Sequence, residues 1–181
     1  MMERLTDAGI APARFGVRRA EIADADAIGR VLVESWQSSY RGLLPDDVLA
    51  ALDPAAKAAS RRELLRIGQT LDLVAYDATH GDLVGFCSAG PARKKPVHVA
   101  ELYEIYLLDR AKRHGVGREL LESVMEGCRR GGWTALIVWV LDSNLQARRF
   151  YEALGGRAAG RVDTVVRGVP VVERAYLWDP L

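Results

Sequence analysis

The chain has 181 residues, 49% hydrophobic and 27% charged, a length and balance that suit one domain with a sizeable core. Lys plus Arg number 25 against 24 Asp plus Glu, so no global charge draws the chain to nucleic acid or to a membrane surface. Cys87 and Cys128 lie in apolar stretches without metal-ligand spacing, which reads as reduced core thiols and no metal site. Residues 1–14 are mixed and charged with no apolar h-region, and nothing later is long and apolar enough to span a bilayer. The expectation is a loose tail over 1–14 and a single domain over 15–181, in the cytoplasm.

In chain order, Phe15 to Arg19 reads as a strand. Asp24 or Asp26 caps a helix whose apolar face is Ile28, Val31, Leu32, Ser35 and Trp36. Asp46 or Asp47 starts a short helix, and Pro54 opens another that runs to about Ile67. Leu71 to Tyr76 and Leu83 to Ser88 form a hairpin, followed by a solvated loop over 90–96 that carries Arg93, Lys94 and Lys95. Leu102 to Leu108 is short, apolar and aromatic, a buried strand. A helix with Leu120, Leu121, Val124 and Cys128 on one face follows and stops at Gly131 and Gly132. The unbroken apolar run from Thr134 to Leu141 reads as a strand covered on both faces, parallel to the strand before it. Asp142 or Ser143 then caps a helix bearing Ala147, Phe150, Tyr151 and Leu154 inward. Strands near 161–166 and 171–178 finish an α/β chain whose mixed sheet is parallel only at its centre.

Between the central strand and its helix lies a basic turn with two glycines, Lys112-Arg113-His114-Gly115-Val116-Gly117-Arg118. The first N–H groups of a helix lack intrahelical partners and its dipole favours negative charge there, so such a turn suits a phosphate-bearing ligand. Glycines let a ligand lie against the main chain, or else merely supply unusual dihedrals. A nucleoside triphosphate loop needs Lys-Ser or Lys-Thr after the glycines, and a dinucleotide fingerprint needs a third glycine where Leu120 stands.

The remaining pattern, [Q/R/K]-x-x-G-x-G over 112–117, resembles the acetyl-CoA pyrophosphate loop of the GCN5-related N-acetyltransferase (GNAT) superfamily, with Lys112 where Gln or Arg is commoner. Asn144-Leu145-Gln146-Ala147-Arg148-Arg149-Phe150-Tyr151 through Gly155 resembles that family's N-x-x-A-x-x-F-Y-x-x-x-G segment. Trp36 to Pro45 resembles a subgroup with mostly unknown substrates. The resemblance implies a GNAT-like mixed sheet whose parallel central strands splay, flanked by helices, with the pantetheine arm of acetyl-CoA inserted in the splay. It puts pantetheine on the backbone of Ile105, Tyr106 and Leu107, and pyrophosphate on Lys112, Arg113, His114, Gly115, Val116, Gly117 and Arg118. Asn144 would bond the cofactor or the splay, or cap its helix.

The activity implied is transfer of an acetyl group from acetyl-CoA to a primary amine, by direct attack in a ternary complex. An amine of pKa ~10.4 costs roughly 4.6 kcal/mol to neutralise at pH 7, and a thiol of pKa ~8.5 about 2 kcal/mol to deprotonate. The amine side is the larger burden, so a general base should matter at least as much as an acid. The resemblance makes Tyr151 the acid and Glu101 the base, with Glu104 in reserve. On a regular strand Glu101 and Glu104 face opposite sides, Glu101 sharing parity with Tyr103, Ile105 and Leu107; a bulge would change that. Trp36 and Tyr40, opposite Tyr103, would line a pocket for a cationic amine. The acceptor, a small molecule or a peptide amine, stays open, as does a homodimer. A non-catalytic acyl-CoA sensor on the same fold is the alternative.

Overall fold

The structure is a computed structural model that describes residues 13–93 and 98–181. The expected N-terminal tail falls mostly on residues 1–12, and Lys94, Lys95 and Pro96 of the expected loop lie within 94–97; both stretches are outside the described residues.

Among the described residues, seven strands form one sheet in the order β1-β2-β3-β4-β5-β7-β6. They are β1 Phe15–Arg19, β2 Leu71–Asp77, β3 Leu83–Pro91, β4 Val99–Leu107, β5 Ala135–Leu141, β6 Arg157–Val166 and β7 Val169–Trp178. Every neighbouring pair is antiparallel except β4 and β5. The helices are α1 Ala25–Ser39, α2 Asp46–Ala50, α3 Pro54–Ile67, α4 Val116–Arg130 and α5 Leu145–Ala153. The expected α/β architecture with a mixed sheet, parallel at its centre, is the observed one, and the last two strands are longer than their sequence pattern indicated.

Alternation along the strands divides the core by sheet face. Ala100, Leu102, Leu136, Val138 and Val140 pack with Leu120, Leu121 and Val124 of α4 and Tyr151 of α5. On the other face Phe86, Val74 and Tyr106 meet Ile28, Val31 and Leu32 of α1. Leu120 and Leu121 are wholly buried, each worth about 1.5–3 kcal/mol against exposure. Local signals set the helix ends. Pro54 sits in the first turn of α3 and Asp53 accepts from the Ala55 N–H, while Gly68 closes that helix at φ 68°. The cap of α5 is Asn144, which accepts from the Ala147 N–H at 3.1 Å, and not Asp142 or Ser143. Asp142 is instead engaged by Arg148, Arg161 and Arg174.

One irregularity positions everything that follows. Ser88 pairs with Glu104 but Ala89 pairs with Leu102, so Tyr103 is an extra residue in β4, a β-bulge. Pairing between β4 and β5 runs only from Val99–Ala135 to Leu102–Val138. Beyond it β4 continues along β3 to Leu107, and β5 along β7 to Leu141. A bulge bends its strand, and the two central strands part where Tyr103 is inserted. The facing backbone edges of 103–107 and 139–141 are left open between them.

Candidate active site

The bulge corrects the strand parity. Ala100 and Leu102 lie on the α4 face, and so do Ile105 and Leu107, three and five residues after Leu102. Glu104 therefore lies on the opposite face with Tyr106, and Glu101 lies there with Val99. Glu101 and Glu104 share one face, contrary to the regular alternation. Glu101 no longer keeps parity with Ile105 and Leu107, because the extra residue reverses every side chain after it.

The two carboxylates have different surroundings. Glu101 is 3% exposed; its Oε2 accepts the Arg93 backbone N–H at 3.0 Å and its Oε1 accepts Arg93 Nε at 3.0 Å. Arg93 also stacks 5.4 Å from the Tyr103 ring, so the loop expected to be merely solvated carries a buried contact. Tyr103 donates its hydroxyl to the Pro91 carbonyl at 2.6 Å, and burial with the Glu101 charge raises the phenol's pKa. The Glu104 side chain is 21% exposed, and its Oε1 accepts from Arg61 Nη2 of α3.

Trp36 and Tyr40 do meet, edge to face at 4.9 Å between centroids. The strand ring beside Trp36 is that of Tyr106, at 6.4 Å, while Tyr103 turns to Pro91 and Arg93. Burial pushes the Tyr106 and Tyr40 phenols up, and the Glu104 carboxylate nearby adds to both shifts. Among the described residues, Ser35 Oγ is buried without a hydrogen-bond partner. Tyr106 was marked in the sequence for its backbone alone; its side-chain role follows from the inserted residue, which no local signal announces.

Tyr151 approaches from the other face. It is buried among Phe150, Tyr176 and Trp178, with ring centroids 5.3, 5.9 and 6.0 Å away. Desolvation drives its pKa far above the usual phenol value. Asn144 takes the capping role.

The basic turn arrives at the open end of β4. Gly115 adopts φ 82° and precedes α4, whose first internal bond is Glu119 N–H to Gly115 O at 3.0 Å. The N–H groups of Val116, Gly117 and Arg118 have no preceding helical turn to donate into. A Cβ on Gly117 would stand 3.2 Å from both Leu107 and Phe150, so this glycine also permits close packing of α4 on the splayed strand. Lys112 Nζ is pinned to Asp109 at 2.6 Å and to Ser39 Oγ of α1 at 3.2 Å, and this holds the Asp109 carboxyl below its ordinary pKa. Arg113 has φ 66°, His114 lies 5.5 Å from the Phe15 ring, and Arg118 pairs with Glu122. Among the described residues no group of His, Cys, Asp and Glu is placed to hold a metal, and no helix is long and apolar enough to cross a membrane.

An open strand gap with a helix N-terminus at its end has the shape and polarity that suit a long, phosphate-bearing ligand. Comparison with known proteins identifies the family. Residues 32–156 match the Acetyltransferase (GNAT) family. An uncharacterized N-acetyltransferase, YuaI, of Bacillus subtilis is 31% identical over 171 residues, covering 91% of this chain and 93% of its own. A GCN5-related N-acetyltransferase from Kribbella flavida superposes with TM-score 0.71 at 27% identity, covering 94% of this chain and all of its own. A phosphinothricin acetyltransferase from Sinorhizobium meliloti, in complex with acetyl-CoA, superposes with TM-score 0.72 at 20% identity over 92% of this chain and 89% of its own. The chain belongs to the acetyltransferase (GNAT) family and is a GNAT-type N-acetyltransferase.

Proposed function

We propose that the protein moves the acetyl group of acetyl-CoA to a primary amine by direct attack, with Glu104 taking the amine's proton and Tyr151 supplying the thiol's. The observation that carries this reading is the gap opened at Tyr103, with carboxylates on one face of the sheet and a neutral phenol on the other. The open edges at Ile105, Tyr106 and Leu107 suit the amide groups of pantetheine, and the turn from Lys112 to Arg118 suits the pyrophosphate. The solved relative holding acetyl-CoA supports the same co-substrate.

The amine arrives as an ammonium on the face of Trp36, Tyr40 and Tyr106, where aromatic faces and the Glu104 carboxylate attract a cation. Loss of one proton to Glu104, directly or through water, frees the nitrogen lone pair. That pair forms the C–N bond at the thioester carbonyl carbon, and the carbonyl π pair moves to oxygen. Its return breaks the C–S bond, whose electrons leave on sulfur. Tyr151 gives its proton to that thiolate, and the second proton lost by nitrogen restores the phenol through solvent. The sum is ammonium plus acetyl-CoA giving amide, free CoA thiol and one proton. Burial keeps Tyr151 protonated throughout the neutral range, as a proton donor requires.

Glu101 was the first candidate base, but both of its oxygens are taken by Arg93, whereas Glu104 has one oxygen bonded and the other free of that pair. We therefore assign Glu101 to anchoring the β3–β4 connection. The acceptor is a small-molecule or peptide amine, and the buried free thiols suit a reducing compartment such as the cytoplasm. Thiol release from acetyl-CoA over a panel of amines, run beside a thermal melt with and without acetyl-CoA, tests the reading. Binding must raise the midpoint and at least one amine must raise thiol release. A raised midpoint with no responsive amine would mean a sensor in place of an enzyme.

A further inference from the structure

A buried ionic cluster stands behind Glu104. Arg61 is 5% exposed; its Nη1 donates to Asp72 Oδ1 at 3.1 Å, its Nη2 donates to Glu104 Oε1, and its guanidinium carbon lies 5.1 Å from the Phe86 ring centroid. Asp72 is buried on β2, and its Oδ2 accepts the Thr70 hydroxyl at 2.5 Å. One buried cation thus serves two carboxylates, Asp72 buried with it and Glu104 partly exposed. Such clusters rarely stabilise a fold better than apolar packing of the same volume, so stability alone is a weak reason for this one. The reach of Arg61 is also fixed, because α1 and α3 pack so closely that a Cβ on Gly29 would stand 2.5 Å from the Pro54 carbonyl oxygen.

We propose that Arg61 and Asp72 are positioning residues that hold and tune Glu104 as the base for the acceptor amine. The inference rests on the assignment of Glu104 to the amine's proton. The planar fork of Arg61 fixes one Glu104 oxygen and so directs the other. A lone guanidinium would favour the ionised carboxylate and make it a weaker base. Asp72 on the same guanidinium opposes that pull, so the fork that fixes Glu104 carries a second carboxylate against its own charge. Neither Arg61 nor Asp72 needs to touch the substrate.

The test is the pH dependence of kcat/KM with acetyl-CoA and one responsive amine, whose own ionisation is common to all variants. The groups facing Glu104 are Arg61 and Lys57 of α3, Asp72 of β2, Tyr40 after α1 and Tyr106 of β4, with the Cys87 thiol of β3 on the other face of the sheet. Burial holds Cys87, Tyr40 and Tyr106 protonated, and Lys57 and the Glu101–Arg93 pair are unchanged in every variant. Asp72→Asn leaves the Arg61 charge unopposed, so the acid limb should move to lower pH by about half a unit or more, and the plateau should fall roughly three- to tenfold. Arg61→Met removes the cation and should move the limb to higher pH. Arg61→Lys keeps the charge but not the fork, and should lower kcat with the limb near its parental place.

Opposite shifts for Asp72→Asn and Arg61→Met are beyond what a merely structural role produces. An unmoved limb in Asp72→Asn, or a shift to higher pH, overturns the proposal. Should Arg61→Met not fold, Asp72→Asn and Arg61→Lys still decide it. Glu104→Gln separates the two levels: parental turnover there sinks the base assignment, whereas impaired turnover with an unmoved Asp72→Asn profile sinks the positioning role alone.

Discussion

Arg93 grips Glu101 with both its main chain and its side chain. The backbone N–H donates to Oε2 and Nε to Oε1, each at 3.0 Å, and Nη2 closes on Oε1 as well. The carboxylate is buried while the Arg93 side chain is 68% exposed, so the pair ties the end of β3 back onto β4 from the solvent side. Burial alone would make an unpaired carboxylate there costly; the arginine makes it tolerable.

Glu101→Gln should therefore act on stability more than on chemistry. It keeps an acceptor for Arg93 but loses the charge on several hydrogen bonds, a cost of about 1–2 kcal/mol. For a domain of this size that lowers Tm by roughly 2–8 °C. Turnover measured well below the new midpoint should stay within a few-fold of the parent, while Glu104→Gln should lose far more at pH 7 and recover as pH rises toward that of the free amine. Melting curves and initial rates on both variants read the outcome. The reverse pattern returns the proton to Glu101.

Tyr151→Phe removes one hydroxyl from a ring that keeps its contacts with Phe150, Tyr176 and Trp178. Its midpoint should change little. If chemistry limits turnover, the rate should fall on the order of 10²–10⁴, the usual worth of a placed acid. Because burial raises the Tyr151 pKa so far, the parent enzyme should show no alkaline loss from that phenol below about pH 10. Single-turnover thiol release across pH checks both statements.

Much of this was legible in the sequence for a plain reason. The strand, basic turn and helix from Val99 to Arg130 carry periodicity, glycine placement and charge at once, and each signal is local. The inward placing of Tyr151 followed from the same kind of signal on α5, whereas its role as acid came only from the family resemblance. What stayed hidden depended on one inserted residue and on partners far away in the chain. Nothing near Tyr103 marks a bulge, yet it reverses Glu104 and Tyr106 and opens the gap. Arg61 looks like one more charge on a polar helix until the fold brings its side chain to Asp72 of β2 and Glu104 of β4. Arg93 sits in a stretch whose composition indicates only a solvated turn.

The two thiols give a separate check on the core. Burial raises the Cys128 pKa to about 11 and that of Cys87 further. A raised thiol pKa means less thiolate, so at pH 8 roughly one Cys128 in a thousand would be ionised even if a reagent could reach it. Native protein should release almost no colour with a disulfide reagent at pH 8, and both thiols should react once it is unfolded. Prompt reaction of the native protein would show that β3 or α4 opens more readily than its packing allows.

The glycine turn supplies the last prediction, because its two glycines do different things. Gly115 has φ 82° with nothing within 4 Å of a would-be Cβ, whereas a Cβ on Gly117 would press on Leu107 and Phe150 at 3.2 Å. Gly115→Ala thus meets no clash in the fold and suffers only backbone strain of about 1 kcal/mol. Gly117→Val, by contrast, must displace Leu107 on the splayed strand. Both should weaken acetyl-CoA, since each alters the main chain or the surface at the head of α4, where the pyrophosphate is proposed to bind. Only Gly117→Val should also lose substantial stability, by about 1–3 kcal/mol as expected for overpacking. Calorimetric titration with acetyl-CoA and with CoA, beside melts of the unliganded proteins, separates the two effects. A folded Gly117→Val protein that binds acetyl-CoA as tightly as the parent would place the pyrophosphate elsewhere.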